Sequence, residues 1–171
     1  LLSIEEHVAT VSFNRPAKAN SLHDQAWEEL KQIFQFLHQE PSVRAIILRG
    51  EGKHFCAGID LSLLMSLQGF QQVSCEARKR EKLRDFIFHL QGAISAIEAC
   101  RKPVLAAIHV ACVGGGLDIA SACDMRYCSE EAYFSIKEID LGLVADIGSL
   151  QRLPKIIPAA MVAEMAYTGR K

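Results

Sequence analysis

The periodicity of apolar and polar positions changes several times along the chain. From Val8 to Phe13 (VATVSF), apolar residues alternate with small polar ones, the twofold repeat of a half-buried strand. The next stretch, NRPAKANSL, is turn-rich and punctuated by Pro16 and Asn20. From His23 to Gln39, Trp27, Leu30, Ile33, Phe34 and Leu37 recur at helical spacing. VRAIILRG reads as a short buried strand closed by Gly50. A second long helix is predicted between Glu76 and Cys100, with Leu83, Phe86, Ile87, Leu90, Ile94 and Ile97 on one stripe. PVLAAIHV then reads as a strand, CVGGG as a tight turn and LDIASAC as a helix opening on that turn. DMRYC and AYFSI are two further short strands. Strands alternating with helices predict a single α/β domain over residues 1–171, without a linker or internal repeat.

Composition narrows this picture. Half of the 171 residues are hydrophobic, enough for one substantial core. Lys and Arg number 19 against 20 Asp and Glu, a net charge of -1 that gives no indication of a nucleic-acid partner. The basic run from Arg78 to Arg84 is interrupted by Glu81 and flanked by Glu76 and Asp85, so it reads as a solvated helix face. The six cysteines form no C-x-x-C pair, and most have apolar neighbours; they are expected to be reduced thiols in a reducing compartment. No metal site and no membrane insertion are expected, and the first residues carry no signal-peptide pattern. The chain begins and ends abruptly, so targeting signals are expected outside it.

Three constellations carry candidate chemistry. Gly114-Gly115-Gly116 joins a predicted strand to a predicted helix, where bare backbone N–H groups and the helix dipole favour a developing oxyanion or a phosphate. A tight turn requiring glycine only for its shape is an equal reading. The loop HFCAGIDL, residues 54–61, also follows a strand, and one of its N–H groups is placed to share an oxygen with the triplet. His54 in that loop reads better as a hydrogen-bonding residue than as a base, and Asp60 as a cap. Finally, Asp118, Glu138, Asp140 and Asp146 border apolar sequence close to the triplet. Asp118 has a structural reading in a first helical turn, Asp146 as an N-cap for IGSLQRL, and Asp140 as partner of a nearby base. Taken together, acids beside a candidate oxyanion hole point to proton transfer next to a carbonyl.

NRPAKANSL, FCAGIDL, KPVLAAIHVACVGGGLD, ACDMRYCSEEAYFSIKEIDLGL and LQRLPKIIP, in this order and spacing, resemble the crotonase superfamily, the enoyl-CoA hydratase/isomerase family. The resemblance implies a spiral of repeated ββα units and fatty-acyl-CoA thioesters as ligands, with no separate cofactor. It implies that the Ile59 and Gly115 amides hold the thioester oxygen and that Ala57, Gly58, Ile59, Asp60 and Leu61 line the thioester and pantetheine, with the PAKAN loop near the CoA head. Hydratases of the family carry Glu at position 118 and Gly at position 146. The trio Asp118, Glu138 and Asp146 instead resembles the Δ3,5-Δ2,4-dienoyl-CoA isomerase branch. That likeness makes Glu138 and Asp146 the working pair, with Asp118 in support. A hydratase, or a non-catalytic acyl-CoA-binding member, is the alternative. The family also implies a homotrimer or hexamer and a place in fatty-acid β-oxidation, hence a mitochondrion or peroxisome. Two departures stand out: Val110 replaces the family's usual glycine, and the chain stops before the expected C-terminal helical region.

Overall fold

Val8–Phe13 forms a strand, β2, which buries Ala9 and Val11 as its alternation predicts. A computed structural model provides the architecture and describes residues 1–66 and 74–171. A short strand β1 (Leu2–Glu5) precedes β2 and pairs with it antiparallel, placing Leu2 opposite Val11 and Glu5 opposite Val8. On its other side β2 runs parallel to β3 (Ala45–Gly50), β3 to β4 (Val104–Ile108), and β4 to β6 (Met125–Cys128). The resulting sheet has the order β1-β2-β3-β4-β6. Beside it β5 (Ala111–Val113) pairs in parallel with β7 (Tyr133–Ser135), and a bridge between Cys56 and Cys112 extends this smaller ladder toward the loop after β3.

Three times, therefore, the chain leaves a large-sheet strand, crosses into the small ladder and continues into helix or turn. The repeated ββα spiral implied by the family resemblance is what forms. The corner from β4 into β5 lies at Val110, which adopts φ 50, in the left-handed region. A β-branched residue is strained there. Its carbonyl is nonetheless engaged, accepting the Tyr133 N–H at 2.7 Å.

Helix α1 (Asp24–Gln39) starts where the sequence pattern changes period. His23 is its N-cap, and Nδ1 of that ring accepts the Ala26 N–H at 3.1 Å. Trp27, Leu30, Phe34 and Leu37 are buried. They meet Leu90, Ala93, Ile94 and Ile97 of α3 (Glu76–Glu98) above the sheet residues Ile46, Leu48, Val104 and Ala106. Only the C-terminal half of the predicted α3 stripe enters this core. Leu83 is 42% exposed, and Arg84 instead lies over the ring of the exposed Phe88. The charged run before it behaves as a solvated face, with Lys79 and Arg80 on Glu76 and Arg84 on Glu81.

Helix α4 (Gly115–Ala122) begins two residues earlier than its sequence predicts, and all eight of its residues are buried. A short α2 (Leu61–Ser66), the four-residue α5 (Ser149–Arg152) and α6 (Ala159–Thr168) complete the described helices. All six cysteines are free thiols, with Cys56, Cys112 and Cys123 buried. Among the described residues no helix is long and apolar enough to cross a membrane, and no cluster of three His, Cys, Asp or Glu side chains could hold a metal ion.

Candidate active site

The loop after β3 and the glycine triplet after β5 converge on one cleft of about 530 Å³. Ala57, Gly58, Ile59, Asp60, Leu61, Gly114, Gly115 and Glu138 form its walls, with Leu64, Leu141 and Leu143 adding apolar surface. Lys18 and Ser21, from the loop before α1, stand at its edge. The two loops touch at Gly58. Its φ of +88 suits glycine, and a Cβ there would lie 2.7 Å from the Val113 carbonyl oxygen and 3.1 Å from the Gly115 nitrogen.

Much of the backbone around the cleft is hydrogen-bonded within the protein. Gly114 N–H donates to Ser135 O, and the N–H groups of Leu117 and Asp118 donate to Gly114 O. Ala57 N–H donates to Ala19 O, and Asp60 N–H to Leu22 O. Among the described residues, neither the Ile59 N–H nor the Gly115 N–H has a protein acceptor. Buried donors are rarely left without partners. Two free amides on adjoining loops, one of them at the positive end of α4, are donors of the kind that can stabilise a developing oxyanion.

Glu138 stands beside these amides. It opens a 3-10 turn, Glu138–Leu141, that follows β7. That turn is tied to the end of α6: Gly169 O accepts Ser135 Oγ at 2.8 Å and Lys137 Nζ at 3.0 Å. Oε1 of Glu138 would be 3.2 Å from a Cβ at Gly114, so the bare triplet is what lets the carboxylate approach. Burial raises its pKa above the ordinary 4.5; hydrogen bonds from its own and the Lys137 backbone oppose the rise, and the charge of Asp146 adds to it. Oε2 is buried without a partner among the described residues. A half-buried carboxylate with one unsatisfied oxygen is a stronger base than an exposed one and has an oxygen free to accept a proton.

The other acids occupy different places. Asp118 is 0% exposed and does not line the cleft. Its Oδ1 accepts both the N–H (2.5 Å) and the hydroxyl (2.6 Å) of Ser149 at the start of α5, while Oδ2 is buried and unpaired among the described residues. Asp146 is not the N-cap of α5, as the sequence had suggested. Gly148 holds that position without a side-chain cap, and Asp118 serves the α5 N-terminus from across the fold. Asp146 itself lines a neighbouring polar groove with Gln91, Gly148 and Arg152. Gln91 Nε2 donates to the Asp146 carbonyl at 2.6 Å, and desolvation raises the pKa of the carboxylate. Asp140 pairs with Lys137 at 2.7 Å, and Asp60 caps α2 through Ser62, both as expected. The structure thus brings Ile59, Gly115 and Glu138 together, sets Asp146 within electrostatic reach of Glu138, and places Asp118 behind them. Sequence reasoning missed Ser149, Gln91 and Arg15 as partners of site residues, because each contact joins segments far apart in the chain.

Burial pushes the Asp118 carboxyl up to about 7 from its ordinary 3.8; the Ser149 hydrogen bonds oppose the rise, and the Glu138 charge adds to it. The folded state therefore binds this proton more tightly than the unfolded chain does. The stabilisation contributed by Asp118 is fully present below about pH 4 and is lost as pH rises through the interval from about 4 to about 7, by at most about 4 kcal/mol. Asp118→Asn keeps an acceptor for Ser149 and removes the titration. It is expected to flatten that slope in urea midpoints measured between about pH 5 and pH 8. An unchanged slope would show that Asp118 is not its source.

A cleft with two free amides and an adjacent raised carboxylate, built on a ββα spiral, has the parts needed to polarise a carbonyl and to take a proton beside it. Residues 3–171 match the family described as enoyl-CoA hydratase/isomerase, and the chain belongs to that family. It is 52% identical over 159 residues to the peroxisomal Δ(3,5)-Δ(2,4)-dienoyl-CoA isomerase of Arabidopsis thaliana, covering 92% of this chain and 57% of that protein. It is 44% identical over 170 residues to the mitochondrial enzyme of the same name from Homo sapiens, covering 99% of this chain and 52% of that one. The chain thus spans little more than half the length of these relatives. Among solved structures, an enoyl-CoA hydratase from Bacillus anthracis superposes with a TM-score of 0.84 at 33% identity, over 99% of this chain and 63% of that one.

Proposed function

We propose that the protein isomerises a 3,5-dienoyl-CoA to the conjugated 2,4-dienoyl-CoA, as a step of fatty-acid β-oxidation. The observation that carries this reading is the pair of unpartnered amides, Ile59 and Gly115, beside the raised carboxylate of Glu138. The names of the Arabidopsis and human relatives favour this reaction over hydration, and they favour a peroxisome or mitochondrion as its place. The family resemblance extends the proposal to a trimer or hexamer.

In this reading the thioester oxygen accepts both amides, which acidifies C2. Ionised Glu138 takes the C2 proton, and the electron pair of that C–H bond passes into a trienolate whose negative charge rests on the thioester oxygen. Protonated Asp146 donates to C6, forming the new C–H bond as the double bonds move into 2,4-conjugation. Glu138 then holds a proton and Asp146 lacks one; exchange with water restores both. Burial raises both carboxyls above their ordinary values, which makes Glu138 a stronger base and lets Asp146 hold a proton to higher pH than an exposed aspartate would. Both steps move protons on one substrate, so the chemistry requires neither a metal nor a redox group. Asp118, buried behind the cleft, supports the turn that carries Asp146 through its bonds to Ser149.

The test follows the ultraviolet absorbance of the conjugated product when the full-length protein meets a 3,5-dienoyl-CoA. Asp146→Asn is expected to lower turnover at least about 10²-fold while leaving acyl-CoA affinity unchanged. Nearly full activity in that variant would overturn the assignment of Asp146. Absence of isomerisation in the wild type, with water added to a 2-enoyl-CoA instead, would make the protein a hydratase.

A further inference from the structure

The peptide unit between Gly58 and Ile59 has one carbonyl and one N–H pointing in opposite directions. Its carbonyl accepts the Leu22 N–H at 2.8 Å, so its N–H, the Ile59 donor, is turned away from Leu22. Leu22 O in turn accepts the Asp60 N–H at 2.9 Å, completing a parallel bridge between Leu22 and Ile59. The aim of the Ile59 amide thus depends on how firmly residues 21–22 are held against residues 58–60. Gly58, lacking a side chain, does nothing to resist rotation of that peptide plane.

One side chain grips both segments. Arg15 Nη1 donates to the Ser21 carbonyl and hydroxyl, each at 3.2 Å, and to Asp60 Oδ2. The other carboxylate oxygen, Asp60 Oδ1, accepts the N–H of Ser62 at 2.9 Å and its hydroxyl at 2.7 Å, capping α2. The Asp60 side chain is 13% exposed and that of Arg15 35%, so solvent screens the pair only in part. These donors hold the Asp60 carboxyl well below the usual carboxylate range, and it stays ionised at any pH where the cleft would work.

We propose that the Arg15–Asp60 ion pair positions the Ile59 amide, clamping the loop before α1 against the loop after β3 so that this N–H faces the cleft. Neither residue touches the reacting atoms; both act through the peptide plane between Gly58 and Ile59. The inference rests on the oxyanion reading of the site and on no particular choice of reaction. A misplacement of about 1 Å at a reacting centre costs on the order of 10²-fold in rate, so a loosened clamp should register in turnover before it registers in binding.

The experiment uses the full-length protein and hexanoyl-CoA labelled with ¹³C at the thioester carbonyl, a saturated probe that cannot isomerise. On binding to the wild type, the labelled carbonyl stretch is expected to move to lower frequency in the infrared difference spectrum. Arg15→Ala and Asp60→Asn should lose most of that movement and lower kcat about 10- to 100-fold, with KM within about threefold. Arg15→Lys, which keeps a charge opposite Asp60, should recover part of both. Asp60→Asn retains an acceptor for Ser62, so α2 stays capped and folding is preserved if Arg15→Ala proves unstable. Full carbonyl movement and full turnover in Arg15→Ala or Asp60→Asn would overturn the proposal. No movement in the wild type would instead overturn the oxyanion reading, and the proposal with it.

Discussion

Replacing Glu138 with Gln is expected to lower conversion of a 3,5-dienoyl-CoA by about 10²–10⁴-fold, with acyl-CoA affinity nearly unchanged. Gln keeps the size of the side chain and its contact with bare Gly114, but it has no oxygen basic enough to take a carbon-bound proton. The structure concentrates this role on one group. Among the described residues, Glu138 is the one carboxylate in the cleft wall that is both raised in pKa and supplied with an unpaired buried oxygen, since Asp60 is engaged by Arg15 and Ser62 and Asp140 by Lys137. Its raised pKa also sets a sign. A base works in its ionised form, so kcat/KM should fall with acidification at a higher pH than an exposed glutamate would set, and this limb should vanish in any residual activity of the Gln variant. Turnover by Glu138→Gln within about tenfold of wild type would remove Glu138 from the proton path.

Gly58→Ala is expected to be a severely damaging single-methyl change, acting on stability and turnover together. At φ +88 an alanine loses roughly 1–2 kcal/mol to the left-handed conformation alone. Its Cβ would also sit 2.7 Å from the Val113 carbonyl oxygen and 3.1 Å from the Gly115 nitrogen, both backbone atoms that cannot swing aside as a side chain can. The loop after β3 must then separate from the triplet, and the two amides cease to share one oxygen. Loss of one such donor lowers kcat by about 10²–10³-fold. Denaturant midpoints read the first effect and the dienoyl-CoA absorbance assay the second. A variant with wild-type turnover would show that the close approach of these loops is unnecessary for the chemistry.

Helix α1 and the strands β2, β3, β4 and β6 follow from local periodicity, with ends within one or two residues. Asp60 as a cap and Asp140 as a lysine partner were readable because both interactions close within three residues along the chain. The short elements β1, β5 and α2 were not, since three to six residues are too few to express a period. Helix α6 was also missed; its sequence AAMVAEMAYT is largely apolar, with few polar positions to mark a face. The α3 stripe was overextended at Leu83, because periodicity marks a face without saying how far its neighbour reaches. Val110 was readable as a strained corner by comparison with the family's glycine, and its φ of 50 bears that out.

By itself, the amino-acid order determined the chemical inventory of the site: two small-residue loops capable of exposing amides, and a set of acids bordering apolar sequence. Glycine at positions 58 and 114–116 widens what the backbone can do locally, and that freedom is visible without a fold. Which acid faces the amides was a tertiary decision. Glu138 approaches Gly114 because β7 pairs with β5; Asp118 is turned to Ser149 because α4 is buried on every side; Asp146 is held by Gln91 across a gap of 55 residues. Charge and hydrogen-bonding capacity belong to a residue, whereas burial and partnership belong to the packing of distant segments, and it is burial that gives a carboxylate a pKa useful for moving a proton from carbon.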